Sequence, residues 1–327
     1  MTTYREINGI NIKILSSDPA NPAQGQIWYN TTDIALKGAV FNSTAAWATG
    51  GNMGTARYQF GGAGTQSAGL AFGGAPGAKT ATEEYDGSAW ANGGDLNTGR
   101  RFLTGTGTQT AGLAIGGTPN APTGHVEEYN GSSWTTVTNM GTGRERLAAA
   151  GLQTAAIAIA GFVGTASPSE LNVSEEYDGS SWTNGGTMAT GRRALGGAGT
   201  QTAAIGFGGY GPGTTRSALT EEYDGSSWTN GGALNEGRFE LAGAGTQSAA
   251  VAFGGNQDPP TNMNNTELYD GSSWTNSVTM NEGRLGLAGD GTPTAALAFG
   301  GQKPAGVLTS TEEFSGIGPQ AKIISGS

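Results

Sequence analysis

Short bursts of alternating large and small apolar residues punctuate this chain, and most end in Gly-Gly. In Ala68-Gly69-Leu70-Ala71-Phe72, period-two alternation predicts a strand with Ala68, Leu70 and Phe72 on one face and Gly69 and Ala71 on the other. The counterparts carry Leu113/Ile115, Ile157/Ile159, Ile205/Phe207, Val251/Phe253 and Leu297/Phe299. Large residues on one face and Gly or Ala on the other predict a sheet buried on both faces, with one neighbour packed very close. The many Gly residues disfavour helix bundles, since each in a helix interior costs about 1 kcal/mol relative to Ala.

The bursts belong to a longer repeat, which decides the architecture. Tyr85-Asp86-Gly87-Ser88-Ala89-Trp90 recurs from Tyr129 to Trp134, Tyr177 to Trp182, Tyr223 to Trp228 and Tyr269 to Trp274. A degenerate copy, Phe41 to Trp47, precedes them, and Glu312-Glu313-Phe314 follows without a Trp. Trp47, Trp90, Trp134, Trp182, Trp228 and Trp274 are spaced by 43, 44, 48, 46 and 46 residues. Each unit reads as four short strands. Strand a is expected to start at a recurring Arg (Arg57, Arg100, Arg144, Arg192, Arg238, Arg284). Strand b is the alternating burst, strand c holds Glu-x-Tyr, and strand d holds the Trp. Between c and d, Asp-Gly suggests the two positive-φ positions of a type I′ turn. Strands a to c of the last copy lack a d strand, and the Trp47 copy lacks a and b. Joined, they complete a sixth unit, so the expected fold is all-β: a six-bladed β-propeller closed by an N-terminal strand.

Gly-Gly after strand b, Tyr in c, Trp in d and Arg at the next a resemble the kelch repeat over residues 39 to 315. That resemblance implies four-stranded kelch-like blades. Kelch propellers include binding proteins and enzymes, so the fold leaves function open.

Composition narrows the choice. Of 327 residues 60 are Gly, and only 13% are charged, with a formal net charge of −10. Such a balance disfavours nucleic acid, which selects basic surfaces. Cysteine is absent and His125 is the single histidine, so the copper site of galactose-oxidase-like kelch enzymes, built from His, Tyr and Cys, cannot be assembled. No metal or other cofactor is expected. No apolar run is long enough for a membrane helix, and residues 1–17 lack the basic and apolar regions of a signal peptide.

The Glu pairs (Glu83/Glu84, Glu127/Glu128, Glu175/Glu176, Glu221/Glu222) recur with the repeat. Neighbours in a strand point to opposite faces, and catalytic residues do not normally recur once per blade, so they read as structural. The Glu two residues before the Tyr is expected to accept from the recurring Arg or from backbone amides. The six Trp and six Arg are likewise read as framework. Only Arg101, Arg146, Arg193 and Arg216 stand outside the Arg series in the repeat. Asp-Gly-Ser-Ser-Trp is similar to the sialidase Asp box, with the spacing off by one, so a sialidase-like glycan-active enzyme is the alternative. A cellular kelch-type lectin or scaffold is another.

The segments between Gly-Gly and Glu-x-Tyr vary in length and content, and all should emerge on one face of the ring. Divergent loops on a rigid scaffold suit binding. Phe162, Tyr210, Asn256 and Asp258 are the candidate binding residues. Residues 1–38 fall outside the repeat and are expected to form a short β attachment segment before a propeller domain at 39–327. Gly25-Gln26-Ile27-Trp28-Tyr29-Asn30 followed by Leu36-Lys37-Gly38 resembles N-terminal segments of tailed-phage fibre and tail proteins. The expectation is therefore a non-enzymatic virion protein, made in the host cytoplasm. It would contact other virion proteins, or copies of itself, through residues 1–38, and a host-surface glycan or a neighbouring virion protein through the loops.

Overall fold

The computed structural model describes residues 13–17, 27–32, 34–42, 44–164, 169–211, 215–257 and 261–323. The described residues are all-β, with no helix. They divide into a unit of residues 1–45 with 315–327 and a unit of residues 46–314. The expected boundary at residue 38 falls inside the strand Ala35–Asn42, and the chain from Ser315 onward joins the N-terminal unit rather than the repeat.

In the terminal unit, Lys13–Leu15, Ile27–Asn30, Ala35–Asn42 and Gly318–Ile323 form one sheet in that order. The first pair is parallel and the others antiparallel. Trp28 is fully buried here and faces Lys37 in register. Phe41 pairs with Pro319, so of the degenerate copy only the Trp47 end joins the repeat.

The larger unit has a propeller-like architecture of six four-stranded sheets among its described residues. The first is typical: Gly61–Thr65 (a), Ala68–Phe72 (b), Thr82–Tyr85 (c) and Trp90–Asn92 (d), each antiparallel to the next. The sixth takes a, b and c from Ala288–Thr292, Ala295–Phe299 and Thr311–Ser315, and its fourth strand is Ala46–Thr49. Strand a does not begin at the Arg. Arg57 precedes Gly61 by four residues, because the intervening Tyr58 bridges to Ala75 and Gln59 turns through φ 54° before the strand can start.

The b strands are buried on both faces, as the alternation predicts, and their small residues admit neighbours. A Cβ on Gly69 would come within 2.9 Å of Leu297 Cδ2, and one on Gly112 within 2.7 Å of Leu70 Cδ2. In strand a, Gly62 accommodates Phe299 of the sixth sheet, whose Cζ would lie 2.9 Å from an added Cβ. Gly105, Gly243 and Gly289 receive Phe72, Phe207 and Phe253 in the same way. Where strand b ends in the smaller Ile115, Ala149 packs in the corresponding cluster. At these five interfaces Phe-against-Gly and Ile-against-Ala keep the summed volume near constant, whereas Gly197 packs beside Ala148 and Ala149 instead.

Side chains also tie sheets together. Five of the six strand-d Trp donate through Nε1 to strand c of the preceding sheet, among them Trp134 to Thr82, Trp228 to Ser174 and Trp274 to Thr220. Trp90 reaches Thr311 and Trp47 reaches Thr266, which carries the series through the sixth sheet. Val126 replaces the hydroxyl in the second sheet, and Trp182 donates instead to the Thr138 carbonyl at 3.1 Å. Gln66, Gln109, Gln153, Gln201 and Gln247 each donate to two carbonyls of the preceding sheet.

The turn between c and d differs from a type I′ turn. Tyr85 pairs with Trp90, leaving four residues in the turn, and only Gly87 has positive φ (90°). Asp86 Oδ1 accepts from the Ser88 amide and hydroxyl and from the Ala89 amide at 2.8 Å each. The carboxylate, not a second left-handed residue, shapes the turn. Asp224 and Asp270 repeat this, and these donors hold both carboxyls down at about 2.

Candidate functional site

The recurring Arg and Glu form a buried framework. Arg57 is fully buried; its Nη1 donates to the Gly73 and Ala81 carbonyls at 3.1 and 2.7 Å, and its Nη2 to Glu83 Oε1 at 2.6 Å. Glu83 also accepts from the amides of Gly54 and Thr55. Arg100–Glu127, Arg144–Glu175, Arg192–Glu221, Arg238–Glu267 and Arg284–Glu312 repeat the pair. Burial lowers the Arg pKa values and the paired carboxylate opposes that shift. With every charge matched, these groups are spent on structure.

The second Glu of each pair accepts from the Tyr of the next sheet: Tyr129 to Glu84 at 2.5 Å, Tyr177 to Glu128 at 2.9 Å, Tyr223 to Glu176, and Tyr269 to Glu222 at 2.6 Å. Tyr85 reaches Glu313. Burial and the carboxylate push Tyr85, Tyr129, Tyr223 and Tyr269 up to about 12. Between the fifth and sixth sheets both partners change together, to Leu268 and Phe314.

Two residues beyond each framework Arg lies a left-handed residue: Gln59, Phe102, Arg146, Ala194, Glu240 and Gly286, with φ from 53° to 62°. Their amides donate in sequence, Phe102 to Gln59, Arg146 to Phe102, Ala194 to Arg146, Glu240 to Ala194, Gly286 to Glu240 and Gln59 to Gly286, at 2.6 to 2.9 Å. The circuit returns to its start. Five non-Gly residues are thus held in a conformation that costs about 1–3 kcal/mol each, because every amide finds an acceptor only there.

This circuit rims a cavity of about 250 Å³ lined by the a strands. Glu240 Oε1 accepts from both Gln59 Nε2 and Arg146 Nη1 at 2.6 Å, so residues from three sheets meet across the rim. Inside, Asp290 occupies the position held elsewhere by Ala63, Thr106, Ala150, Ala198 and Ala244. It keeps some accessible surface toward the cavity, but its Oδ2 is buried without a hydrogen-bond partner, and desolvation pushes its carboxyl up to about 8.

Outside the rim, the residue following each framework Arg bridges to the residue following the Gly-Gly position: Tyr58 to Ala75, Arg101 to Thr118, Glu145 to Phe162, Arg193 to Tyr210, Phe239 to Asn256, Leu285 to Gln302. The backbone repeats while the side chains do not. On one side these positions form a second pocket of about 360 Å³, lined by Glu145, Arg146, Phe162, Arg193, Ala194, Tyr210, Arg216 and Phe239.

Two of the four candidate loop residues, Phe162 and Tyr210, therefore share this pocket with three of the four Arg outside the framework series. Arg193 lies over both rings, 4.4 Å from the centroid of Phe162 and 5.1 Å from that of Tyr210. Arg146 stacks on Phe102 at 3.8 Å and Arg216 on Phe239 at 5.5 Å. Asn256 is buried beneath, bonded to Asn262 at 3.3 Å, and contributes its backbone bridge to Phe239. Asp258 lies outside the described residues. The variable segments are more regular than loops: Tyr210–Gly211 pairs with Thr215–Arg216, Asn256–Gln257 with Thr261–Asn262, and Gln302–Lys303 with Gly306–Val307. Phe102 and Phe239 carried no signal as site residues, and Arg146 stood out only as an Arg outside the framework series. Each sits beside a framework Arg, where only the bridge and the circuit place it at the pocket.

Among the described residues no group of three His, Cys, Asp or Glu is placed to hold a metal ion, and no helix is long and apolar enough to cross a membrane. No family model matches the chain, and no curated protein matches its sequence.

Proposed function

We propose that residues 46–314 are a six-bladed propeller acting as a binding module, and that its ligand is a surface saccharide taken at the pocket beside the rim. The closed amide circuit and the Trp47 bond to the fifth sheet support the six-bladed reading. The observation that carries the binding reading is the contrast within each sheet. Arg, Glu, Trp and Gln are reused to fix the backbone, while the bridged positions around the rim vary freely and, on one side, gather stacked Arg and aromatic residues. Rigid placement of non-repeating side chains is what recognition requires.

We further propose that the module is mounted on a tailed-phage particle through its terminal unit, without catalysis. The Ile27–Asn30 strand and the Leu36-Lys37-Gly38 stretch, which carry the sequence resemblance, are partners in one hairpin, so the resemblance covers one structural element. Detection of the chain in purified particles by mass spectrometry tests the mounting. A glycan array tests the binding: the intact chain should bind a saccharide, and Phe162→Ala with Tyr210→Ala should abolish the signal. Binding that survives the double variant refutes the site, and turnover of the bound glycan refutes the non-enzymatic reading.

A further inference from the structure

We infer that the pocket between Arg146, Arg193, Arg216 and the rings of Phe162, Tyr210 and Phe239 takes a carboxylate-bearing saccharide unit. The inference rests on the proposed binding role of this face and names the chemical class bound there.

Donor supply is the first argument. A guanidinium carries five N–H donors. Framework Arg192 uses Nη1 on two carbonyls and Nη2 on Glu221. Arg146 makes one hydrogen bond, to Glu240, with Glu145 3.8 Å from its Nε, and Arg193 makes one ion pair, to Glu170 at 3.2 Å. Both remain about a quarter exposed, whereas the framework Arg are fully buried. These two therefore retain N–H groups for a ligand.

Orientation is the second. A guanidinium stacked on a ring is held by its face and keeps its N–H edge for in-plane bonding. Arg193 lies over two rings and Arg146 over a third. A planar fork fixed in this way suits a carboxylate, which it can bind through two parallel bonds.

Acceptors are the third, and they separate a saccharide from a simple polyanion. Glu145 lines the same pocket, and the Tyr210 hydroxyl makes no hydrogen bond among the described residues. Burial raises the Glu145 carboxyl while the charges of Arg146, Arg101 and Arg193 oppose that shift, and Arg146 Nε lies 3.8 Å from it. Glu145 repels any anion, a ligand carboxylate included, but only a saccharide unit also brings hydroxyls that can donate to it and offset that cost. The volume, about 360 Å³, is at the small end of ligand pockets. The chain's net charge of −10 also disfavours a long polyanion, leaving a local patch of positive charge to select a short acidic unit.

The test is calorimetric titration of the full chain with hexagalacturonate, its methyl ester, dextran sulfate and a polyglutamate peptide. The acid form should bind saturably, and the ester, which loses the charge and adds only a methyl group, should bind at least tenfold more weakly, the cost of one charge-assisted hydrogen bond. Arg193→Gln should lose about tenfold or more and Arg193→Lys, which keeps the charge but not the fork, should recover only part. Val278→Ala, on an exposed residue away from the pocket, should bind as the parent does, and melting curves should show each variant folded. Equal binding of acid and ester, lost in Phe162→Ala, overturns the acidic class while the face remains a binding face. Equal affinity for dextran sulfate or polyglutamate overturns the saccharide assignment. Failure of the acid form to bind, or unchanged affinity in Arg193→Gln, overturns the site itself.

Discussion

Replacing Glu222 by Leu removes the carboxylate to which the Tyr269 hydroxyl donates at 2.6 Å, its only hydrogen-bond acceptor among the described residues. Tyr269 is 4% exposed and its ring packs on Trp274 with centroids 4.9 Å apart, so the hydroxyl cannot turn to bulk water without displacing the ring. A buried donor left without a partner costs about 1–3 kcal/mol. Tyr269→Phe alone keeps the stacking and leaves a half-buried carboxylate that water can reach, at about 1 kcal/mol. The double variant reproduces Leu268 and Phe314, the pair already present at the same positions of the next interface, and leaves neither group orphaned. Its loss should be smaller than the sum of the single losses by about 1–2 kcal/mol, within the range for residues in direct contact. Urea unfolding of the parent, both single variants and the double variant, at pH 7 with unchanged slope, gives the coupling directly. Single losses that simply add would refute the claim that each Tyr–Glu pair acts as one unit.

Other consequences follow from the same geometry. Gly243→Ala places a Cβ well inside contact distance of Phe207 Cζ and should cost about 1–3 kcal/mol; adding Phe207→Ile, which recreates the Ile115–Ala149 arrangement, should restore part of it in the same urea assay. Asp290 is held protonated up to about 8, above its unfolded value, so its contribution is full below about pH 4 and is lost as pH rises to about 8. Asp290→Ala should therefore leave stability unchanged near pH 4 and raise it at pH 8.5, and a thermal-melt pH series that shifts equally at both ends would contradict this. Tyr85, Tyr129, Tyr223 and Tyr269 lose their protons near 12 in the fold and near 10 unfolded, so stability is complete below pH 10 and falls between 10 and 12. Absorbance of tyrosinate should rise together with unfolding in that window. Arg192→Met strands the buried carboxylate of Glu221 and should cost about 3–5 kcal/mol by denaturation.

Most of the framework was legible because its chemistry repeats. Trp, Arg, Glu-x-Tyr and Gly-Gly recur at fixed offsets, and side chains that satisfy one another across every interface must recur. The join of Ala46–Thr49 to the last three strands was visible because each partial copy lacked what the other held. The rim was hidden for the opposite reason. Gln59, Phe102, Arg146, Ala194 and Glu240 share a left-handed backbone and an amide circuit but no side-chain chemistry, and Gly286 alone carries a residue signal for that conformation. The turn was misread because Asp-Gly is the usual signature of a two-residue hairpin, whereas Asp86 uses its carboxylate to accept three donors and so builds a longer turn. The non-repeating Arg stood out by count, but their meeting with Phe162 and Tyr210 depends on bridges between segments about 17 residues apart, such as Arg193 to Tyr210. No periodicity reports that approach.

The central claim is that ligand recognition resides at the varied positions beside the amide circuit. Hydrogen–deuterium exchange of the intact chain with and without a bound acidic oligosaccharide tests it most directly. The account predicts added protection confined to the segments carrying Phe102, Glu145–Arg146, Phe162, Arg193–Ala194, Tyr210 and Phe239. Protection at the Asp-Gly-Ser turns, with none around the rim, would contradict it.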